Sequence, residues 1–254
     1  MALFSDGAIS TVADMTAQDS TVLEVAQTEG INLTQKLALA QAELGLELAS
    51  LLERGRSTYN PLWGQTQLTV ANVAVTPSLQ VWHAYRTLAA VYRDAYFSQL
   101  NARYEAKWQL FEKLARKAML DTIEVGVGLV WDPVPQAGAP QLSTVAGVGA
   151  GGDFYAAVSF LNAAGEEGLP SVVTDLTVAA GSELVIGAGT APANATGWNA
   201  YAGNDPGALA LLNSTPMPIG ISFTWLAGTV GGRAPAGGQS PNLMRVLPRM
   251  WQRG

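Results

Sequence analysis

The sequence predicts an α+β chain of several domains: a helical bundle with one very long helix, then a β-sandwich and an extended C-terminal tail. Up to Ala118, apolar side chains recur at three- and four-residue steps, the spacing of one helical face. Beyond Pro133, short β-prone runs alternate with clusters of glycine and turn residues. Charge divides the chain along the same lines. Residues 1–53 carry eight acids and one base, residues 78–119 seven bases and three acids, and residues 133–232 six acids with no lysine or arginine. The last 22 residues hold four arginines and no acid.

Thr21-Val22-Leu23-Glu24 has the spacing of a capping box and predicts a short helix ending at Gly30. Asn32 opens a second helix, with Leu33, Leu37, Ala40, Leu44, Leu48 and Leu51 on one face and Gly55 as a stop. Thr76-Pro77 reads as an N-cap followed by proline at the first helical position. The run after it, from Trp82 and Tyr85 through Tyr92, Tyr96, Leu100, Tyr104, Trp108 and Phe111 to Ala118, contains no glycine or proline. At 1.5 Å per residue it predicts a single helix roughly 60 Å long. Leu88, Val91 and Ala95 lie off its main stripe. A helix apolar on two sides needs two partners, and a neighbouring subunit at these three residues is the expected second one.

From Thr122 to Leu129 the alternation predicts a strand. Pro133, Pro135 and Pro140 mark a linker, and Phe154–Leu161, Val172–Val178, Leu184–Ile186 and Trp198–Tyr201 read as strands of a small sandwich. The expected organisation is a helical bundle over 1–132, a linker over 133–140, a β-sandwich over 141–232 and an extended tail over 233–254.

Composition excludes several chemistries. There is no cysteine, hence no disulfide, thiolate metal site or cysteine nucleophile, and His83 is the only histidine. A serine-histidine-acid triad would have to use His83, but no G-x-S-x-G elbow accompanies it, and a packed or solvent-facing helix histidine is expected. Glu166-Glu167 reads as a turn rather than a glycosidase acid pair. Gly147–Gly152 lacks the G-K-[ST] ending of a phosphate loop. No catalytic, cofactor or metal residues are expected. The N-terminus shows no signal-peptide pattern and no stretch suits a membrane span, so a soluble protein made in a cytoplasm is expected. Arg103, Lys107, Lys113 and Lys117 put like charges at i,i+4 and call for outside acid, either the helix bearing Glu43 and Glu47 or passing DNA.

The helices, with the aromatic-rich run Leu100-Asn-Ala-Arg-Tyr-Glu-Ala-Lys-Trp-Gln-Leu-Phe-Glu-Lys-Leu-Ala-Arg-Lys-Ala118 and the C-terminal tail, resemble the head-to-tail adaptor proteins of tailed bacteriophages. That resemblance implies a non-enzymatic virion protein of the neck, assembled in the host cytoplasm. It would be a homo-oligomeric ring, usually of twelve copies, joining the portal protein to tail or nozzle proteins and letting DNA pass without sequence recognition. It further implies that the tail docks on the portal through Arg245, Leu247, Arg249, Met250, Trp251 and Arg253. Phe154–Ser171, with its Asn-Ala-Ala-Gly-Glu-Glu-Gly turn, and Gly197–Gly203 resemble fibronectin type III or immunoglobulin-like modules, here inserted between bundle and tail. The alternative is a carbohydrate- or cell-surface-binding β-module on a helical oligomerisation stalk, favoured if Trp198 and Tyr201 are exposed.

Overall fold

The structure, a computed structural model, describes residues 1–56, 68–99, 102–226 and 232–245. The chain is mixed α+β and divides into two compact units. Gly7–Trp131 with Pro241–Gly254 form one, and Met1–Asp6 with Asp132–Ser240 the other.

The first unit is helical. Helix α1 (Val12–Gln18) opens with a capping box at Thr11, whose hydroxyl accepts from Asp14 N while the Asp14 carboxylate accepts from Thr11 N. The box expected at Thr21 is absent, because that hydroxyl is engaged in a side-chain network. Helix α2 (Val22–Glu29) ends at Gly30, whose φ of 66° lies in the left-handed region that glycine enters without penalty. Helix α3 (Leu33–Arg56) is started by the Asn32 carboxamide, which accepts from Gln35 N at 3.1 Å. Its predicted face is its buried face: Leu37, Ala40, Leu44, Leu48 and Leu51 are all inside.

The very long helix is two helices. α4 (Pro77–Gln99) and α5 (Glu105–Val125) are separated by a 3-10 turn at Ala102–Tyr104, and the longest helix is α3, of 24 residues. The reason lies in the aromatic stripe. Tyr92 stacks on Phe111 with ring centroids 5.6 Å apart, and Tyr96 stacks on Trp108 at the same separation. Folding back lets the two halves of one stripe bury each other, whereas a straight helix would leave both exposed. Leu88, Val91 and Ala95 are fully buried in a cluster with Met15 of α1, Val22 of α2 and Leu37 of α3. The second partner of α4 is therefore its own chain, and these residues offer no surface to a neighbouring subunit.

α5 continues to Val125 through the first half of the stretch predicted as a strand, and only β1 (Val127–Leu129) forms a strand there. β1 pairs antiparallel with β9 (Asn242–Met244) and bridges Val73. The predicted tail is thus divided: residues 233–240 belong to the β-unit, and Asn242–Met244 form a strand of the helical unit.

The second unit holds β2 (Gln141–Ala146), β3 (Gly152–Leu161), β4 (Thr174–Val178), β5 (Ser182–Gly187), β6 (Gly197–Gly203), β7 (Ala210–Leu211) and β8 (Phe223–Trp225). Two antiparallel sheets, ordered β2-β5-β8 and β4-β3-β6-β7, contribute to one core. Alternate residues supply it: Phe154, Ala156, Val158 and Phe160 from β3, Leu184 and Ile186 from β5, Trp198, Ala200 and Ala202 from β6. The other side of β3 and β6 is also covered, with Ala157 and Tyr201 packed against Leu209. The segment expected as a linker and the first part of the expected tail are packed as well. Val134 and Ala137 lie in the core, and Gln239 is 3 % exposed, accepting from Val134 N at 2.6 Å and donating to Asp132 O at 2.9 Å.

Because Leu88 is a core residue of the single chain, Leu88→Ala is expected to destabilise it by about 2–5 kcal/mol. Urea denaturation checks this, and the loss should be independent of protein concentration.

Candidate functional site

The chemistry-bearing side chains gather in three internal clusters. In the helical unit the first joins the α1–α2 junction to the hairpin. Asp19 accepts from Tyr92 OH at 2.6 Å and from Lys107 Nζ at 2.7 Å, and Lys107 also donates to Thr21 Oγ1 at 2.6 Å. Burial alone would raise the Asp19 carboxyl, but the hydrogen bonds from Lys107, Tyr92 and Thr21 prevail and hold it at about 2. One turn further along the hairpin, Glu29 accepts from Tyr104 OH and Ser98 Oγ, each at 2.9 Å, with Arg103 3.5 Å away.

These contacts bear on the basic residues singled out in the sequence. Arg103 and Lys107 are paired with acid, but with Glu29 and Asp19 rather than with the α3 acids. Glu43 and Glu47 instead flank Arg86, with the Glu43 carboxylate 2.9 Å from its Nε. Lys117 meets Asp121 at 2.5 Å one turn along α5, and Lys113 is exposed.

His83 sits in the second cluster. Its Nδ1 lies 2.6 Å from Ser10 Oγ and its Nε2 3.0 Å from Leu37 O. A carbonyl can only accept, so Nε2 carries the proton and Nδ1 accepts from the serine hydroxyl. The pair has the contact of a serine-histidine dyad, yet Ser10 and His83 are 1 % and 0 % exposed and a backbone carbonyl stands where an orienting carboxylate would be. Buried in this way, it serves as packing. Burial pushes the imidazole pKa down, against the opposing pull of the Leu37 hydrogen bond and the Asp14 charge.

The third cluster is in the β-unit. The turn after β3 sends its two adjacent acids to different partners. Glu166 accepts from Asn162 Nδ2 and Gln239 Nε2, both at 2.9 Å. Glu167 accepts from Ser159 Oγ, Tyr201 OH and the Arg233 guanidinium. Burial would raise the Glu167 carboxyl, but these donors and Asn199 lower it, while burial and that carboxylate push Tyr201 up to about 12. Arg233 O accepts from Leu211 N at 2.9 Å, and a Cβ on Gly232 would lie 2.2 Å from Leu211 O, so the returning chain lies flush against β7. Nothing in the sequence paired Glu167 with Arg233, 66 residues away.

Trp198 and Tyr201 are both fully buried, which removes the feature that favoured a binding module. Among the described residues, Trp108 Nε1 is the one buried side-chain nitrogen or oxygen without a hydrogen-bond partner. No described helix is long and apolar enough to cross a membrane. Of the docking residues, Arg245 is exposed directly after β9, and Leu247, Arg249, Met250, Trp251 and Arg253 lie outside the described residues. Comparison with protein-family models, curated proteins and solved structures finds no match for this chain.

Acid is expected to weaken the fold in two windows. His83 has a folded pKa below its unfolded value of 6.5, so its contribution is complete above pH 6.5 and is lost as the pH falls below it, by up to about 1.4 kcal/mol per pH unit. Asp19 contributes above 3.8, and that contribution is lost between 3.8 and about 2. Urea midpoints across pH should lose the upper limb in His83→Gln and part of the lower limb in Asp19→Asn. Unchanged limbs in both variants would contradict these assignments.

Proposed function

We propose that the chain is a non-catalytic structural subunit, a head-to-tail adaptor of a tailed bacteriophage virion. Its helical unit forms a ring beneath the portal, and its C-terminal segment docks on the portal protein. The observation that carries this reading is the route of the C-terminus. After the β-unit the chain returns to the helical unit, where β9 pairs with β1 and Arg245 is exposed, and the sequence that follows is basic and bears Trp251. A segment rich in arginine and apolar residues suits binding to a partner surface. Internal satisfaction of the buried polar groups supports a structural role, since Ser10, His83, Glu166 and Glu167 are all engaged in holding the fold.

The ring contact assigned to Leu88, Val91 and Ala95 moves, in this reading, to the outer face of α3. Ala38, Leu39, Ala42, Leu46 and Ala49 are exposed there, Leu46 at 75 %. From Leu37 to Leu52 the only charges are Glu43 and Glu47, and those flank Arg86 of the same chain. A face without charge over several turns gains little from water and suits a neighbouring subunit. The three- and four-stranded sheets of the β-unit, with their shared core, support an immunoglobulin or fibronectin type III-like module inserted between bundle and tail.

Two experiments test this. Truncation after Arg245 should leave thermal unfolding unchanged and abolish portal binding, and Trp251→Ala should weaken binding by about 2 kcal/mol or more. Full portal affinity in the truncated protein refutes the docking role. Leu46→Asp should keep the fold, by circular dichroism, and shift the portal-bound assembly from ring to single subunits in light scattering.

A further inference from the structure

Residues 133–232 contain no lysine or arginine, so the counter-charge of Glu167 comes from outside them, from Arg233. The two partners are unequally built in. Glu167 is fixed without Arg233, by a backbone bridge to Leu161 and by donors from Ser159 and Tyr201, both fully buried. Its own side chain is 8 % exposed. The Arg233 side chain is 48 % exposed and lies over the Tyr201 ring, with Cζ 5.7 Å from the ring centroid.

The backbone contact is of a kind that any extended segment could make. β7 is an edge strand, and Leu211 N donates to Arg233 O at 2.9 Å. The residue before the arginine is restricted, because a Cβ on Gly232 would run into Leu211 O. Gly232-Arg233 therefore meets this corner as a ligand would. It offers one carbonyl to the sheet edge, one guanidinium to a buried carboxylate, and a glycine where a side chain does not fit.

The chain that follows is lightly held. Among the described residues, Pro235, Ala236, Gly237 and Gly238 form no hydrogen bond, and none of residues 234–238 is buried. The next anchor is Gln239, which is buried and bonded to Val134, Asp132 and Glu166. The strap can therefore leave the corner at Arg233 while Gln239 keeps its place.

We propose that the β7 edge beside Glu167 is a binding site for an extended partner segment in which glycine precedes arginine, and that Gly232-Arg233 occupies it in cis as a displaceable strap. Charge and shape select the occupant. With the strap gone, the corner holds a buried carboxylate without a counter-charge, which disfavours an apolar or acidic segment. Lysine brings the charge but lacks the planar fork that meets a carboxylate while lying over an aromatic ring. One ion pair and one backbone bond make a weak site, so the strap, present at high effective concentration, keeps it closed in the free chain. The site lies within the β-unit and does not rest on the adaptor reading.

Trypsin tests the strap in the unaltered full chain. Between Lys117 and Arg245 the sequence offers it one bond, Arg233–Ala234, and cutting there requires both Arg233 contacts to be released. That bond should be cut under native conditions at a rate insensitive to low urea, and Glu167→Gln should speed the cut by about tenfold or more. Cleavage that appears only with global unfolding overturns the proposal. A peptide with blocked ends and the sequence of residues 232–236 tests the site. In Arg233→Ala, confirmed as folded by circular dichroism, it should shift the Leu211 amide in nuclear magnetic resonance spectra and bind about tenfold or more tighter than to the wild type. The same peptide with alanine in place of its arginine should not bind. No binding to the folded variant, or equal binding of the two peptides, overturns the proposal.

Discussion

The helical unit depends on one packing event, the closure of α4 on α5 through aromatic rings. Tyr92 over Phe111 and Tyr96 over Trp108 join positions 19 and 12 residues apart in sequence, and they place the two helices side by side. Once the hairpin is closed, the opposite side of α4 is left for Met15, Val22 and Leu37, and so α1, α2 and α3 have a surface to cover. The polar contacts follow the same geometry. Lys107 reaches Asp19 because α5 lies back along α4, and on a straight helix it would stand about 22 Å along the axis from Tyr92. The network therefore reads the hairpin out and reinforces it; the apolar closure comes first energetically, since an ion pair with its lysine partly exposed contributes little net stability.

Local signals in the sequence translate directly into structure. The leucine face of α3, the Thr76-Pro77 start, the Gly30 stop and the strands at β3 and β6 each rest on the period or turn chemistry of a few adjacent residues. What the sequence hid is long-range. The break between α4 and α5 carries no glycine or proline, and periodicity cannot distinguish one long stripe from two halves that face each other. Thr21 has the right spacing for a capping box, yet Lys107 and Asp19 claim its hydroxyl. The proline-rich stretch from Pro133 reads locally as linker because its partner Gln239 lies more than a hundred residues away.

The candidate sites show the same limit. Ser10 beside His83 is invisible in sequence, and contact alone makes a dyad; burial makes it structural. Trp198 and Tyr201 lie on opposite sides of β6, as their odd spacing requires, and both sides are covered. An aromatic pair on a strand therefore indicates a binding face only where one side of the sheet is open, and that depends on segments outside the strand, 209–211 and 232–233.

Among the described residues, buried side-chain polar groups apart from Trp108 Nε1 are occupied internally, which leaves surfaces poor in charge as the places a partner could cover. Among the described residues, the outer face of α3 and the edge strand β2 are two surfaces of this kind, on different units. They differ in what they offer. α3 has its backbone hydrogen bonds satisfied along its length and presents only side chains, so a contact there is governed by shape and apolar area and can join unlike positions of successive subunits. β2 presents backbone donors and acceptors whose spacing fixes the register to within one residue, and a one-residue slip would turn every side chain to the wrong face.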